Sequence, residues 1–201
     1  MARAAAEGEG RDGAAMILNA ALEVFVRDGF HGTSIRTIAK EAGVSIALIY
    51  YHFPSKEEIL RTLMLKVTND LRDELVAARA AAGPNPVDQM AALVRAHVRL
   101  HTARQAESFV GNTELRSLGP DALAEAMAAR DAVSALYKEV IAAGLADGSF
   151  RCEAPAEANL AILTMCTSVA GWYKQGGPRS PDDLAGIYVG FALAILGAGE
   201  G

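Results

Sequence analysis

The sequence predicts an all-α protein, and three observations carry that expectation. Alanine dominates the apolar set of a chain that is 51% hydrophobic, and alanine is a strong helix former and a weak strand former. Alternating runs of Val, Ile and Thr, the period-two mark of strands, are scarce. Apolar residues recur instead at intervals of three and four, bounded by Ser, Asn, Gly and Pro where helices start and stop.

Residues 1–12 are almost entirely Ala, Gly and charge, and read as a disordered tail. From Ala14 onward, Ile17, Leu18, Ala21, Leu22 and Phe25 mark one helical face. Asp28-Gly29 ends that helix, because glycine tolerates the left-handed conformation that follows a last turn. Ser34 caps a short helix to Ala42 with Ile35, Ile38 and Ala39 inward. Gly43 breaks it, and Ser45 caps a third helix through Tyr51. A fourth runs from Lys56 to about Ala82, striped by Ile59, Leu60, Leu63, Val67, Leu71 and Leu75. Ser55 and Glu58 have the spacing of a capping box at its start. Asn85-Pro86 open a fifth helix to about Thr102, and a sixth covers roughly 104–117. Gly119-Pro120 open a seventh to Asp147-Gly148, and Pro155 opens an eighth to about Lys174. Ser180-Pro181-Asp182-Asp183 cap a ninth that ends near Gly197. The domains predicted are a small one at 13–54 and a larger one at 55–201.

A net charge of −5 and a pI near 5.4 exclude a protein that holds nucleic acid by a broad basic surface. They leave room for a compact reading module. Cys152 and Cys166 do not make a disulfide framework, and read as small apolar residues in a reducing compartment. The N-terminus lacks the apolar segment of a signal peptide. The longest apolar run, 187–198, is shorter than the roughly 20 residues that cross a bilayer. The expectation is a cytoplasmic protein without membrane contact. His97 and His101 lie one turn apart, but no third metal ligand is near them in sequence, so no metal and no cofactor is predicted. Neither a Gly-rich phosphate loop nor a Ser-His-Asp constellation is present, which speaks against an enzyme.

Three short helices with a glycine turn between the second and third make a helix-turn-helix. Ile38, Ala39 and Val44 close the pair, and Ser45 starts a helix whose first residues face base edges in the major groove. The run Gly32-x-Ser34-x-x-x-Ile38-Ala39-x-x-Ala42-Gly43-Val44-Ser45, then Ile49-Tyr50-Tyr51-His52-Phe53-x-x-Lys56-x-x-Ile59, resembles the DNA-binding signature of the TetR family of regulators. The resemblance is ungapped over about residues 14–62. It implies the nine-helix TetR-like architecture: an N-terminal helix-turn-helix domain and a helical ligand-binding and dimerisation domain.

The resemblance also implies roles. Thr33 and Ser34, at a helix N-terminus, suit a phosphate, and Lys56 adds charge at the same strand. Tyr50 would hold the backbone, and Tyr51 a phosphate or a base. His52 reads equally as a phosphate donor or a packing residue. Arg36 matches a position that reads guanine through O6 and N7, and Ser45, Ile46, Ala47 and Leu48 match base-facing positions. Many members are polar where this chain has Ile46, Ala47 and Leu48, and one of Ile46 and Leu48 could instead face the first helix. The site on double-stranded DNA is therefore expected to be read by Arg36–guanine contacts, thymine methyls and DNA shape. Residues 1–60 hold six basic and eight acidic side chains, so a shallow salt dependence is expected.

For the larger domain the resemblance implies a homodimer whose last two helices pair with their twins. The final helix fits this with Leu184, Ile187, Tyr188, Phe191, Leu193, Ile195 and Leu196 among glycines. A small-molecule effector is also implied. Its candidate lining is Leu93, His97, Leu100, Phe109, Leu115, Tyr137, Met165, Val169 and Trp172, and plain core packing is the competing reading for each. Thr113-Glu114-Leu115-Arg116 and Gly171-Trp172-Tyr173-x-x-Gly176-Gly177-Pro178 are similar to stretches in members that sense acyl-CoA or lipid-like thioesters. The expected function is a repressor released from a palindromic operator by a largely apolar ligand. The alternative is a nucleoid-associated DNA binder with no physiological ligand.

Overall fold

A computed structural model of the protein describes residues 2–198, with side chains from Gly13 onward. Of the tail expected at 1–12, Met1 lies outside the described residues and the backbone from Ala2 is part of the first helix. Among the described residues there are nine α-helices and no strand: α1 (Ala2–Gly32), α2 (Ile35–Ala42), α3 (Ile46–His52), α4 (Lys56–Ala81), α5 (Pro86–Ala103), α6 (Gln105–Thr113), α7 (Pro120–Asp147), α8 (Pro155–Trp172) and α9 (Pro181–Ile195).

The helix ends follow local chemistry. α1 leaves helical geometry at Gly29, where φ is 72° and ψ 163°, before one last turn. Gly43 sits at φ 65° after α2; its N–H donates to Lys40 O at 3.3 Å, and the Val44 N–H donates to Ala39 O at 3.0 Å. That pair of bonds is the Schellman arrangement, which satisfies the last carbonyls of α2 while the chain reverses. Before α9 the capping box is complete: Ser180 Oγ accepts from the Asp183 N–H, and the Asp183 carboxylate accepts from the Ser180 N–H.

Three sequence expectations are corrected. Ser55 Oγ accepts from the Glu58 N–H at 3.1 Å, but the Glu58 carboxylate pairs with Arg61 at 2.7 Å and does not close a box. A guanidinium one turn on offers a stronger, charge-assisted partner. α6 stops at Thr113, and a 3₁₀ turn at Leu115–Ser117 takes the place of its expected last turn. Gly111, Asn112 and Thr113 are all weak helix formers. α8 ends at Trp172 because Tyr173 is extended, with ψ 141°.

The chain forms two compact units: Met1–Lys66 with Phe109–Ala126, and Val67–Ser108 with Met127–Gly201. The N-terminal unit therefore takes in more than the three short helices. Its core joins Ile17, Phe25, Ile38, Ile49, Ile59 and Leu60 to Val110, Leu118 and Ala126. Arg61 ties the two stretches of this unit by donating to Glu125 at 2.7 Å. In the larger unit α5 packs on α8 and α9. Leu75, Met90, Leu93, Val94, Tyr137, Ile162, Cys166 and Leu196 form its centre. Gly144 is required there, since a Cβ at that position would overlap the ring of Phe150.

Candidate nucleic-acid interface

The interface is built on two adjoining helix starts. Ser34 caps α2: its Oγ accepts from the Thr37 N–H at 3.1 Å and lies 2.8 Å from Thr37 Oγ1. Ser45 caps α3 by accepting from the Leu48 N–H at 3.1 Å. Buried Ile38, Ala39 and Ile49, with half-buried Val44, hold the two helices together. Arg36, in the first turn of α2, is exposed.

α3 sorts its residues by face. Ile49 is fully buried, whereas Ile46, Ala47, Tyr50 and Tyr51 are exposed. Ile46 precedes Tyr50, and Ala47 precedes Tyr51, by four residues, so each pair is stacked along one side of the helix. Tyr51 is 80% exposed, an unusual cost for an aromatic ring unless something covers it in function.

The remaining sequence candidates lie behind this surface. Leu48 is half-buried, so it and not Ile46 is the residue turned toward the core. His52 is half-buried, and a Cβ at Gly13 would meet its Nε2 at 2.9 Å, so the imidazole packs against α1. Thr33 is only 4% exposed and donates its hydroxyl to Gly29 O at 2.8 Å, bracing the break in α1. Lys56 Nζ donates to Phe30 O at 2.6 Å and to Thr33 O at 2.8 Å, and lies 4.1 Å above the Phe30 ring. Thr33 and Lys56 were expected at a phosphate; the structure has them joining the start of α4 to the end of α1. The reason is electrostatic: the carbonyls at a helix end are unsatisfied and carry negative potential. Thr37 was not singled out in the sequence, and its hydroxyl and N–H both engage the Ser34 cap.

The effector candidates divide. Leu93, Leu100, Tyr137 and Val169 are core residues of the larger unit, and Met165 packs partly against that core. Phe109 and Leu115 belong to the N-terminal unit. Phe109 and Trp172 are exposed, Trp172 by 50%. His97 is buried with Nδ1 2.9 Å from the Tyr137 hydroxyl oxygen and Nε2 3.4 Å from Thr167 Oγ1. The Tyr137 hydroxyl donates to Leu93 O at 3.3 Å. With that proton on Leu93 O, His97 Nδ1–H donates to the Tyr137 oxygen and Nε2 is left as the acceptor. Burial holds His97 far below the ordinary imidazole range, aided by His101, and pushes His101 down to about 4. Burial likewise raises the Tyr137 phenol well above its usual value and the Cys166 thiol to about 12. All four groups are thus uncharged near neutral pH. Among the described residues, no group of three or more His, Cys, Asp or Glu side chains is placed to hold a metal ion. No helix among them is long and apolar enough to cross a membrane.

Two short helices joined by a left-handed glycine, with an arginine and two tyrosines exposed on their outer side, define a helix-turn-helix DNA-binding protein. Comparison with known proteins agrees. A family model described as bacterial regulatory proteins, TetR family, matches residues 17–63, and one described as tetracyclin repressor-like, C-terminal domain, matches 83–196. The chain belongs to the TetR family of bacterial transcription regulators. It is 25% identical to the HTH-type transcriptional repressor KstR2 of Mycolicibacterium smegmatis, over 92% of this chain and 91% of that one. A TetR-family regulatory protein from Rhodococcus RHA1 superposes with a TM-score of 0.87 at 30% identity, covering 94% of this chain and 98% of its own. AibR, solved with isovaleryl coenzyme A and operator DNA, shares the fold at a TM-score of 0.81 and 21% identity, over 93% of this chain and all of that one.

Proposed function

We propose that this DNA-binding regulator is a cytoplasmic repressor. It grips a palindromic operator as a homodimer and leaves it when a small, largely apolar effector enters the larger unit. The observation that carries the reading is the outer face of α3, with Ile46, Ala47, Tyr50 and Tyr51 all in solvent and Arg36 exposed on α2. Ser34 and the Tyr50 hydroxyl serve phosphates, Arg36 a guanine, and Tyr51 either.

Dimerisation is supported by what α8 and α9 leave uncovered. Leu160 and Trp172 on α8, and Phe191 and Ile195 on α9, are large exposed apolar side chains. The rings of Trp172, Tyr188 and Phe191 follow one another at 6.5 and 5.9 Å, which makes a patch of the kind that marks an interface. Two-fold pairing would set two copies of α3 in successive major grooves, about 34–36 Å apart.

The effector reading is supported by the uncharged polar trio of His97, Tyr137 and Thr167, set beside the largely apolar core of the larger unit, which suits an apolar molecule with a hydrogen-bonding group. AibR, with its bound acyl-coenzyme A, supports an acyl thioester as the class. α4 belongs to both units, so its displacement would change the spacing of the reading heads.

Selection from a random duplex pool with purified protein, at low and moderate salt, tests this. The expected result is an enriched palindrome that Arg36→Ala and Tyr51→Ala proteins fail to retain, bound by a species of twice the chain mass in sedimentation. Bulk salt-sensitive binding with no enriched sequence would overturn the reading in favour of a nucleoid-type protein.

A further inference from the structure

The first turn of α3 carries an unusual chemistry for a reading head. Ser45 is exposed, but its hydroxyl already accepts the Leu48 amide at 3.1 Å. Ile46 and Ala47 follow it, both exposed and neither holding a polar atom beyond the backbone. Leu48 is half-buried. Polar side chains flank this patch, with Arg36 on α2 and Tyr50 and Tyr51 one turn further along α3. The centre of the reading surface is therefore methyl and methylene, bordered by hydrogen-bonding groups.

In the major groove one base edge offers an apolar group, the C5 methyl of thymine. Guanine, adenine and cytosine present acceptors or amino donors at that depth. Pressing such a group against Ile46 removes its water and supplies no partner, which is penalised. We infer that Ile46 and Ala47 are specificity determinants that select thymine through its C5 methyl in each half-site of the operator, beside the guanine taken by Arg36. This rests on the operator-binding reading above and adds the identity of a base to it.

The test uses the selected operator. Each thymine within the footprint is replaced in turn by deoxyuridine, which removes the methyl and leaves every hydrogen-bonding group in place. At one thymine per half-site the wild-type protein is expected to bind about fourfold more weakly, the value of one buried methylene-sized group. Replacement in both half-sites together should weaken binding roughly fifteenfold, and deoxyuridine outside the footprint should have no effect. Ile46→Ala, at an exposed position, folds as the parent does and loses most of this discrimination. Wild-type protein that binds every deoxyuridine operator as tightly as the thymine one overturns the inference and leaves the regulator reading standing. So does an Ile46→Ala protein with undiminished discrimination at every thymine. Failure to select any operator overturns the regulator reading itself, and this inference with it.

Discussion

Tyr51 and Tyr137 are the same side chain in opposite circumstances. Tyr51 is 80% exposed on α3, while Tyr137 has no exposure and lies with its hydroxyl between His97 and Leu93. Thr33 apart, the N-terminal unit keeps its polar side chains out of a core filled with apolar ones. The larger unit encloses His97, His101, Thr102, Ser108 and Asn159. A polar group at the surface is available to a partner at little cost to folding, whereas an enclosed one stabilises only while its own partners hold. Binding and stability should therefore fail separately in the two units.

The largest effect that would break this contrast is expected at Tyr137. Tyr137→Ala removes a fully buried ring and leaves His97 Nδ1 and Leu93 O without the hydroxyl they share, and should lower stability by about 3–5 kcal/mol. A urea unfolding midpoint that barely moves would mean the site is already loose. The next largest is with pH. His97 and His101 are held neutral in the fold, His101 down to about 4 against 6.5 in the unfolded chain. The unfolded chain thus takes up protons first. The stability tied to these imidazoles is complete above about pH 6.5 and is lost as pH falls toward 4, by up to roughly 1.4 kcal/mol per pH unit for each ring. Urea midpoints measured from pH 7.5 to 5 should fall in the parent and flatten in a His97→Gln/His101→Gln protein.

Arg36→Ala should weaken operator binding by about 1–3 kcal/mol and leave the unfolding midpoint where it was. A shared loss of both would erase the distinction between the units. The smallest of these effects sharpens the comparison at its boundary. Lys56→Met should cost about 1–2 kcal/mol of stability, because its ammonium joins two carbonyls at the end of α1. Were Lys56 chiefly a phosphate contact, the salt slope of DNA binding would instead fall by about one with stability unchanged.

Much of this arrangement was legible in the sequence, for local reasons. Ser34, Ser45 and Ser180 announce their helices because a cap is completed within three residues. Gly29 and Gly43 announce breaks because each has a positive φ. What escaped depends on partners far along the chain. Lys56 finds carbonyls 23 and 26 residues back, and His97 finds Tyr137 40 residues on. No periodicity encodes either pairing. The attachment of Phe109–Ala126 to the N-terminal unit is of the same kind. It rests on packing between segments that a linear reading assigned to different domains, and it places Phe109 and Leu115 in the N-terminal unit.

The start of α3 has a consequence for how such a protein can change over generations. Its cap is fixed by Ser45 and its anchor by Ile49, while Ile46 and Ala47 do little for the core. Substitution at these two positions alters what is recognised without endangering the fold. Descendants of one gene can therefore drift to new target sites by single exchanges in this turn, with each intermediate still a folded regulator.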